Sequence, residues 1–415
     1  MQFLPTISIR ARALLPSRWD VLAALLVLGF IVIFADASQL LRQPLASLAH
    51  GHISLNPWRL PDYALRTALR MLVALGLSLV FTFTYATLAA KSARAGALLI
   101  PLLDILQSVP ILGFISITIV FFLSIAPGRI LGAELAAVFA IFTSQAWNMA
   151  FSFYQSLRTV PEELEEAGRM FGLNAWARFW RIEVPFAMPQ LIWNMMMSMS
   201  GGWFFVVAAE AISVGHTTIA LPGIGSYIAA AIAARNLTAI WWAIGTMLIV
   251  ILIYDQLLFR PLVAWSERFR FDEQQSEEER ESWALTMFRR SRLIAAMAAP
   301  FASLMHRTYR LAPPRKLDAR LAPAVSDRAA NIIWYVLLAV LGAIALWRIA
   351  AFAGPIQLNE VFVAAGLGAV TALRVLVLIA IASVIWVPIG IYVGLRPKLV
   401  EIVQPVAQFL AAFPA

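Results

Sequence analysis

The chain has 415 residues, of which 61% are hydrophobic and 13% charged, with a mean hydropathy of +0.80. This composition excludes a soluble globular domain and indicates a polytopic membrane protein. The net charge of +9 would favour nucleic acid in a soluble protein, but here the basic residues concentrate between apolar runs, so no nucleic-acid partner is expected. Because the sequence contains no cysteine, disulfides and cysteine-ligated metals are excluded.

Apolar runs that predict helices crossing about 30 Å of hydrocarbon recur along the chain. They lie at about residues 20–36, 65–90, 97–125, 130–153, 186–212, 238–259, 331–352, 366–395 and from 400 to the end. The first run follows Arg10, Arg12 and Arg18 and precedes Ala35-Asp36-Ala37. It is therefore either a span or a secretory signal with its cleavage site. Basic residues before and between the spans predict a cytoplasmic N-terminus.

Charged residues inside the predicted spans are costly to insert and are candidates for a role in transport. They are Arg70, Asp104, Glu210, Asp255 and Arg374. Arg70 and Arg374 either snorkel to the outer surface or line a path, where two arginines at equivalent depth would suit an anion. Asp104 and Asp255 are nearer the cytoplasmic ends and are expected to be hydrated or paired.

Glu210 stands at the outer end of its span and precedes Leu221-Pro-Gly-Ile-Gly225. The proline and glycines of this pentapeptide predict a break in the helix and a re-entrant or lid-like outer loop. We expect Glu210 to pair with Arg70 or another arginine, and the alternative is a carboxylate that shapes a gate.

The segment Glu162–Pro185, EELEEAGRMFGLNAWARFWRIEVP, is a charged, helix-forming interruption between two apolar runs. Thr159, with Glu162 three residues later, predicts a capping box at the start of a helix. The first helical turns carry four carboxylates, which favour the positive end of a helix: Glu162, Glu163, Glu165 and Glu166. Gly172 suits a helix stop and Asn174 a second N-cap, so two short helices are predicted.

The spacing of Glu166-Ala167-Gly168, Gly172, Ile182 and Val184-Pro185 resembles the EAA loop of ABC-importer permeases. That family has a second alanine where Gly168 stands and leucine where Val184 stands. The resemblance implies a cytoplasmic coupling element that docks on a separate ATP-binding subunit. The implied docking residues are Glu162, Glu163, Glu166, Ala167, Gly168, Phe171, Gly172, Ile182 and Pro185. The alternative is a helix lying on lipid headgroups, but clustered glutamates favour a protein partner.

The fold that the resemblance implies is an all-α, polytopic transmembrane helical bundle of the type I ABC-importer permease kind, in a bacterial inner membrane. Residues 203–227 resemble permeases of the nitrate/sulfonate/taurine group, which implies a small anion delivered by an external solute-binding protein. The complete transporter would carry two ATP-binding subunits. No cofactor is expected in this chain, because it lacks a G-x-x-x-x-G-K-[ST] sequence and ATP would bind the partner subunit.

An internal repeat indicates two homologous halves of about six helices. Residues 66–110 align without gaps with residues 370–414 and share ten identities, including Arg70/Arg374, Pro101/Pro405 and Pro110/Pro414. The prolines predict a kinked helix in each half. Since the repeat would place a second coupling loop at about position 470, we expect the second half to be incomplete.

The segment between the halves is predicted to be a cytoplasmic linker. It has an acidic cluster at residues 272–281, then basic positions, and an apolar stretch, Leu293–Met305, that is too short to span a membrane. This stretch forms either an interfacial helix or a plain tether. The predicted domains are residues 1–60, 61–260, 261–330 and 331–415.

These features predict a permease subunit that catalyses no covalent chemistry. The main alternative is a secondary active transporter with an internal repeat, which would need a coupling carboxylate near the bilayer midplane. An intramembrane enzyme would need a metal cluster or an activated nucleophile, and the four histidines are too scattered for the former. A structural membrane anchor is the third alternative.

Overall fold

The structure is a computed structural model. It describes residues 18–40, 43–45, 53–109, 111–214, 217–269, 283–311, 327–353 and 358–396, together with residues 398–400, 403, 406 and 407. Several predicted features lie outside the described residues: Arg10, Arg12, His50, His52, Pro110, His216, the acidic cluster at 272–281, Pro405, Pro414 and most of the predicted last span. The chain divides into two compact units, Met1–Pro313 with Phe409–Ala415, and Pro314–Gln408.

The described residues of the first unit are predominantly helical. Its main helices are α1 Arg18–Leu40, α2 Leu60–Lys91, α3 Ala93–Ser108, α4 Ile111–Ile125, α5 Ile130–Arg158, α6 Glu162–Met170, α7 Ala175–Arg178, α8 Val184–Glu210, α9 Ile224–Ala233, α10 Leu237–Tyr254, α11 Arg260–Ser266, α12 Trp283–Arg290 and α13 Arg292–Leu311. π-Helical turns join α7 to α8 at Phe179–Glu183 and α10 to α11 at Asp255–Phe259.

Five continuous helical stretches among the described residues are long and apolar enough to cross a membrane. They are Pro57–Lys91, Ile130–Arg158, Ala175–Glu210, Leu237–Phe269 and Asn359–Gly394. Each contains an 18-residue window of mean hydropathy between 1.3 and 2.5, as hydrocarbon requires. The predicted all-α transmembrane bundle is confirmed.

Helix α5 forms the centre of the first unit and packs against both α2 and α8. Alanines on the three helices are completely buried, such as Ala74, Ala137 and Ala187. Small side chains let helices approach closely, which favours packing where lipid offers no hydrophobic drive. Larger buried side chains, such as Met149 and Phe153 on α5, fill the remaining space.

The structure differs in detail from the predictions for the third span and for the loop after Glu210. The third predicted span, 97–125, consists of two helices, α3 and α4, and Pro101 lies inside α3. The loop after Glu210 starts as a short antiparallel hairpin, β1 Ala211–Val214 with β2 Thr217–Ala220. The predicted break in the helix is confirmed, since α8 ends at Glu210, and a new helix, α9, begins within the pentapeptide at Ile224.

The second unit contains two long helices, α14 Asp327–Ala353 and α15 Leu358–Gly394. None of the most apolar window of α15 is buried, and its exposed side chains include Leu373, Leu378 and Trp386. Such a continuous apolar surface is suited to lipid or to further helices.

Candidate functional site

The coupling segment, residues 159–185, begins differently from its prediction. The N-cap of α6 is Pro161, which makes no side-chain capping bond. The Thr159 hydroxyl instead donates to the carbonyls of Gln155 and Ser156, both at 3.2 Å. The predicted capping box is therefore wrong, because Thr159 satisfies free carbonyls at the end of α5 rather than amides at the start of α6.

The turn between α6 and α7 contains the predicted glycine stop and asparagine cap. Gly172 has φ of +70°, a conformation that favours glycine. Its N–H donates to Arg169 O, and the Leu173 N–H donates to Gly168 O, each at 3.0 Å. This pair of bonds is a Schellman stop. Asn174 then caps α7 by accepting from the Ala177 N–H at 2.7 Å, as predicted.

Gly168 is the point where α6 packs against the following turn. It is buried, and a methyl group added there would lie 2.6 Å from Ile182 Cδ1 and 3.2 Å from the Arg178 side chain. The distance of 2.6 Å is too short for a normal contact, so glycine at this position leaves room for the Ile182 side chain. The family's alanine at this position would need Ile182 to shift.

The tip of the coupling segment exposes large apolar side chains beside carboxylates. Met170 is 88% exposed and Phe171 is 83% exposed. The carboxylates of Glu162, Glu163 and Glu166 are also on exposed residues. Adjacent apolar side chains rimmed by charge are typical of a protein docking site.

Aromatic contacts connect the coupling segment to the bundle. Trp180 lies 5.1 Å, between ring centroids, from Phe179 and 5.8 Å from Phe83 of α2, and Phe83 is 5.0 Å from Phe153 of α5. An ion pair of 2.7 Å joins Lys91 Nζ, at the end of α2, to Glu183 Oε2. The coupling segment is therefore joined by direct contacts to the ends of these spans.

A buried ion cluster lies near the opposite end of α8. The Arg70 guanidinium donates from Nε and Nη2 to the two oxygens of Glu134, each at 2.6 Å, and from Nη1 to Glu210 Oε1 at 2.7 Å. Arg70 is 5% exposed and Glu210 is completely buried. The expectation that Arg70 snorkels is wrong, because two carboxylates hold its charge inside the bundle. The predicted pairing of Glu210 with Arg70 is confirmed.

The same cluster fixes the loop after Glu210. Glu210 Oε2 accepts from the Gly225 N–H at 2.7 Å, and Arg70 Nη1 also donates to Pro222 O at 3.0 Å. Thr67 Oγ1 donates to Glu210 Oε1 at 2.6 Å and accepts from the Ile224 N–H at 3.0 Å. The loop is thus bonded to charged groups from helices distant in sequence.

The remaining charged candidates have other surroundings. Asp104 is exposed, Asp255 pairs with Arg260 at 3.1 Å, and Arg374 lies on an exposed position of α15 in the second unit. Sequence reasoning missed Glu134. The signal was present, since Glu134 is a carboxylate inside a predicted span, the same rule that singled out Arg70 and Glu210.

Gln145 is the buried polar side chain whose surroundings are the most unusual. It is completely buried in the middle of α5, and neither its Nε2 nor its Oε1 has a hydrogen-bond partner among the described residues. Gly202 of α8 makes room for it, since a methyl group there would lie 2.6 Å from Nε2. An unpartnered buried amide is costly to the folded state.

We expect Gln145→Met to stabilise the folded protein by about 1–3 kcal/mol, because methionine removes two unsatisfied polar atoms at similar volume. Thermal unfolding in detergent measures the effect. Gln155→Met, at an exposed position of the same helix, is the control and should change little. Destabilisation by Gln145→Met would show that the amide is satisfied in the protein in solution.

The long apolar helices are those of an integral membrane protein. Residues 83–259 match the model of the family described as "Binding-protein-dependent transport system inner membrane component". This part of the chain, less than half of its length, is therefore similar to the membrane components of such transport systems. The resemblance carried by the coupling segment is confirmed.

Individual relatives agree with this assignment at low identity. The bicarbonate transport system permease protein CmpB of Synechococcus elongatus is 23% identical over 176 residues, 42% of this chain and 57% of the relative. The nitrate import permease protein NrtB of Leptolyngbya laminosa is 23% identical over 128 residues, 31% and 41% of the two chains. The trimethylamine N-oxide transport system permease protein TmoV of Pelagibacter ubique is 24% identical over 207 residues, which are 50% of this chain and 26% of the relative. The chain thus spans about half the length, or less, of these relatives.

Proposed function

We propose that this chain is the permease subunit of an ATP-driven importer whose coupling segment docks on a separate ATP-binding subunit. The observation that carries the proposal is the continuous helix Ala175–Glu210. Its first residues belong to the coupling segment, and its last residue is in the buried ion cluster. At 1.5 Å per residue a helix of this length measures roughly 54 Å, longer than the hydrocarbon it crosses. Movement at one end is therefore transmitted to the other.

Helix α2 strengthens this connection. It pairs with the same continuous helix twice, through Lys91 and Glu183 at the coupling end and through Arg70 and Glu210 near the opposite end. In the proposed cycle, closure of the ATP-binding subunits pushes the coupling segment and shifts both helices together. The loop held by Glu210 moves with them, which changes access to a path through the bundle.

The proposed solute is a small polar anion. Two of the relatives are a bicarbonate and a nitrate permease by name, and the sequence resemblance to the nitrate/sulfonate/taurine group implies the same class. The proposal includes an external solute-binding protein, two ATP-binding subunits that hold the nucleotide, a bacterial inner membrane and a cytoplasmic N-terminus. A path lined by Arg374, Arg70 and Glu210 remains a prediction.

The test is uptake into proteoliposomes that contain the chain, its ATP-binding subunit and its solute-binding protein. We expect ATP on the side of the membrane where the ATP-binding subunit docks to drive accumulation of labelled bicarbonate or nitrate on that side. A hydrolysis-deficient ATP-binding subunit should abolish this accumulation. Uptake driven by a proton or sodium gradient without ATP would favour the secondary transporter and contradict the proposal.

A further inference from the structure

The linker helix α13 is held near both ends by the first unit. At its start, Asp20 Oδ1 of α1 accepts from the Arg292 N–H at 2.7 Å and from Ser291 Oγ at 3.1 Å. Near its other end, Trp176 Nε1 of the coupling segment donates to Thr308 Oγ1 at 3.0 Å. The helix between these contacts is about 24 Å long. It runs from the start of α1 to the coupling segment.

These contacts place α13 at the surface of the membrane. Asp20 lies in the first turn of α1, immediately before the apolar run at about 20–36, which is one of the predicted spans. The coupling segment, at the other contact, joins the ends of α5 and α8, where two spans leave the hydrocarbon. A helix that touches both points lies along the boundary between lipid and water.

One strip of α13 is apolar and uncovered within the described residues. Met297, Pro300, Leu304 and Arg307 follow one another at helical spacing along one face. Met297 is 52% exposed and Leu304 is 60% exposed, and Pro300 and Arg307 are also exposed. Exposed apolar side chains flanked by arginine are typical of a helix that lies in the headgroup region.

The charge of this region favours lipid over the ATP-binding subunit as the occupant. Residues 283–311 contain five arginines and no acidic residue: Arg289, Arg290, Arg292, Arg307 and Arg310. Anionic headgroups attract such basic segments. The coupling segment presents Glu162, Glu163 and Glu166, so a protein surface complementary to it would be basic and would repel the arginines of α13.

We propose that α13 is a membrane-surface helix whose strip Met297–Arg307 binds anionic lipid headgroups beside the coupling segment. The apolar side chains enter the acyl boundary, and the arginine stays at the level of the phosphates. This lipid contact does not depend on the transport activity proposed above.

The test uses single cysteines in the full chain, which has none of its own. Met297→Cys, Leu304→Cys and the control Ala299→Cys each carry an environment-sensitive fluorophore. Ala299 is exposed and lies about 200° around the helix from Met297. The labelled proteins are reconstituted in phosphatidylcholine vesicles, with or without phosphatidylglycerol, and quenched by nitroxide-labelled lipid or by aqueous iodide.

We expect nitroxide lipid to quench the labels at 297 and 304 several-fold more than the label at 299, and iodide to show the reverse order. Phosphatidylglycerol should increase the difference, and Arg307→Gln should remove most of that increase. Equal quenching at the three positions would overturn the proposal. Protection of 297 and 304 that appears only when the ATP-binding subunit is added would also overturn it, because the occupant would then be protein.

Discussion

Replacing Arg70 by methionine is expected to destabilise the folded protein by roughly 3–5 kcal/mol, because the change leaves two carboxylates facing each other without their cation. Glu210 is completely buried and would keep only its bonds from Thr67 and the Gly225 N–H. The effect is measured by reversible unfolding in mixed micelles of dodecyl sulfate and a mild detergent, or by the thermal midpoint in mild detergent.

The matched control is Arg66→Met, one turn earlier on the same helix. Arg66 pairs with Asp62 at 3.1 Å, but the carboxylate partner is 43% exposed, so the loss is expected to be about 1 kcal/mol or less. A triple variant, Arg70→Met with Glu134→Gln and Glu210→Gln, should recover part of the stability because no charge stays unpaired. Equal losses for Arg70→Met and Arg66→Met would show that the buried cluster does not stabilise the fold.

Phe171→Asp is expected to weaken binding of the ATP-binding subunit by roughly 30-fold or more. Large side chains at the centre of an interface commonly contribute 2 kcal/mol or more, and Phe171 is 83% exposed at the tip of the coupling segment. Since the side chain contacts solvent in the free chain, its replacement should leave folding intact. Binding is measured by titrating the purified ATP-binding subunit onto the immobilised chain in detergent.

Trp58→Asp provides a control of the same kind. Trp58 is an exposed aromatic residue, at 89%, and lies before α2, at the end of that helix away from Lys91. We expect this variant to bind as the wild type does. If Phe171→Asp and Trp58→Asp weaken binding to the same extent, Phe171 does not contribute specifically to docking.

The coupling segment was predictable because its information is local. The Schellman stop at Gly172 and the cap at Asn174 depend on residues close in sequence, and both predictions are confirmed. The start at Glu162 was also close to the structure, although the assigned cap was wrong. A Thr-x-x-Glu pattern cannot tell whether the hydroxyl serves the helix that follows or the one that ends there, and Thr159 serves the latter.

The ion cluster was only half predictable, because it depends on tertiary packing. The cost of charge in hydrocarbon singled out Arg70 and Glu210 from the sequence, and that rule would also have found Glu134. Their common meeting point could not be found in this way, since positions 70, 134 and 210 lie on three different helices. The packing of α5 between α2 and α8 brings them together. The unpartnered amide of Gln145 is likewise visible only after packing is known.

The central claim is that the coupling segment docks on a separate ATP-binding subunit, and site-directed cross-linking tests it most directly. Since the chain contains no cysteine, Glu166→Cys can be joined by a short bifunctional maleimide to single cysteines on the ATP-binding subunit in membrane vesicles. Trp58→Cys serves as the control. We expect a cross-linked product from position 166 and none from position 58. Absence of a product from position 166, with the labelled chain folded and the ATP-binding subunit present, would contradict it.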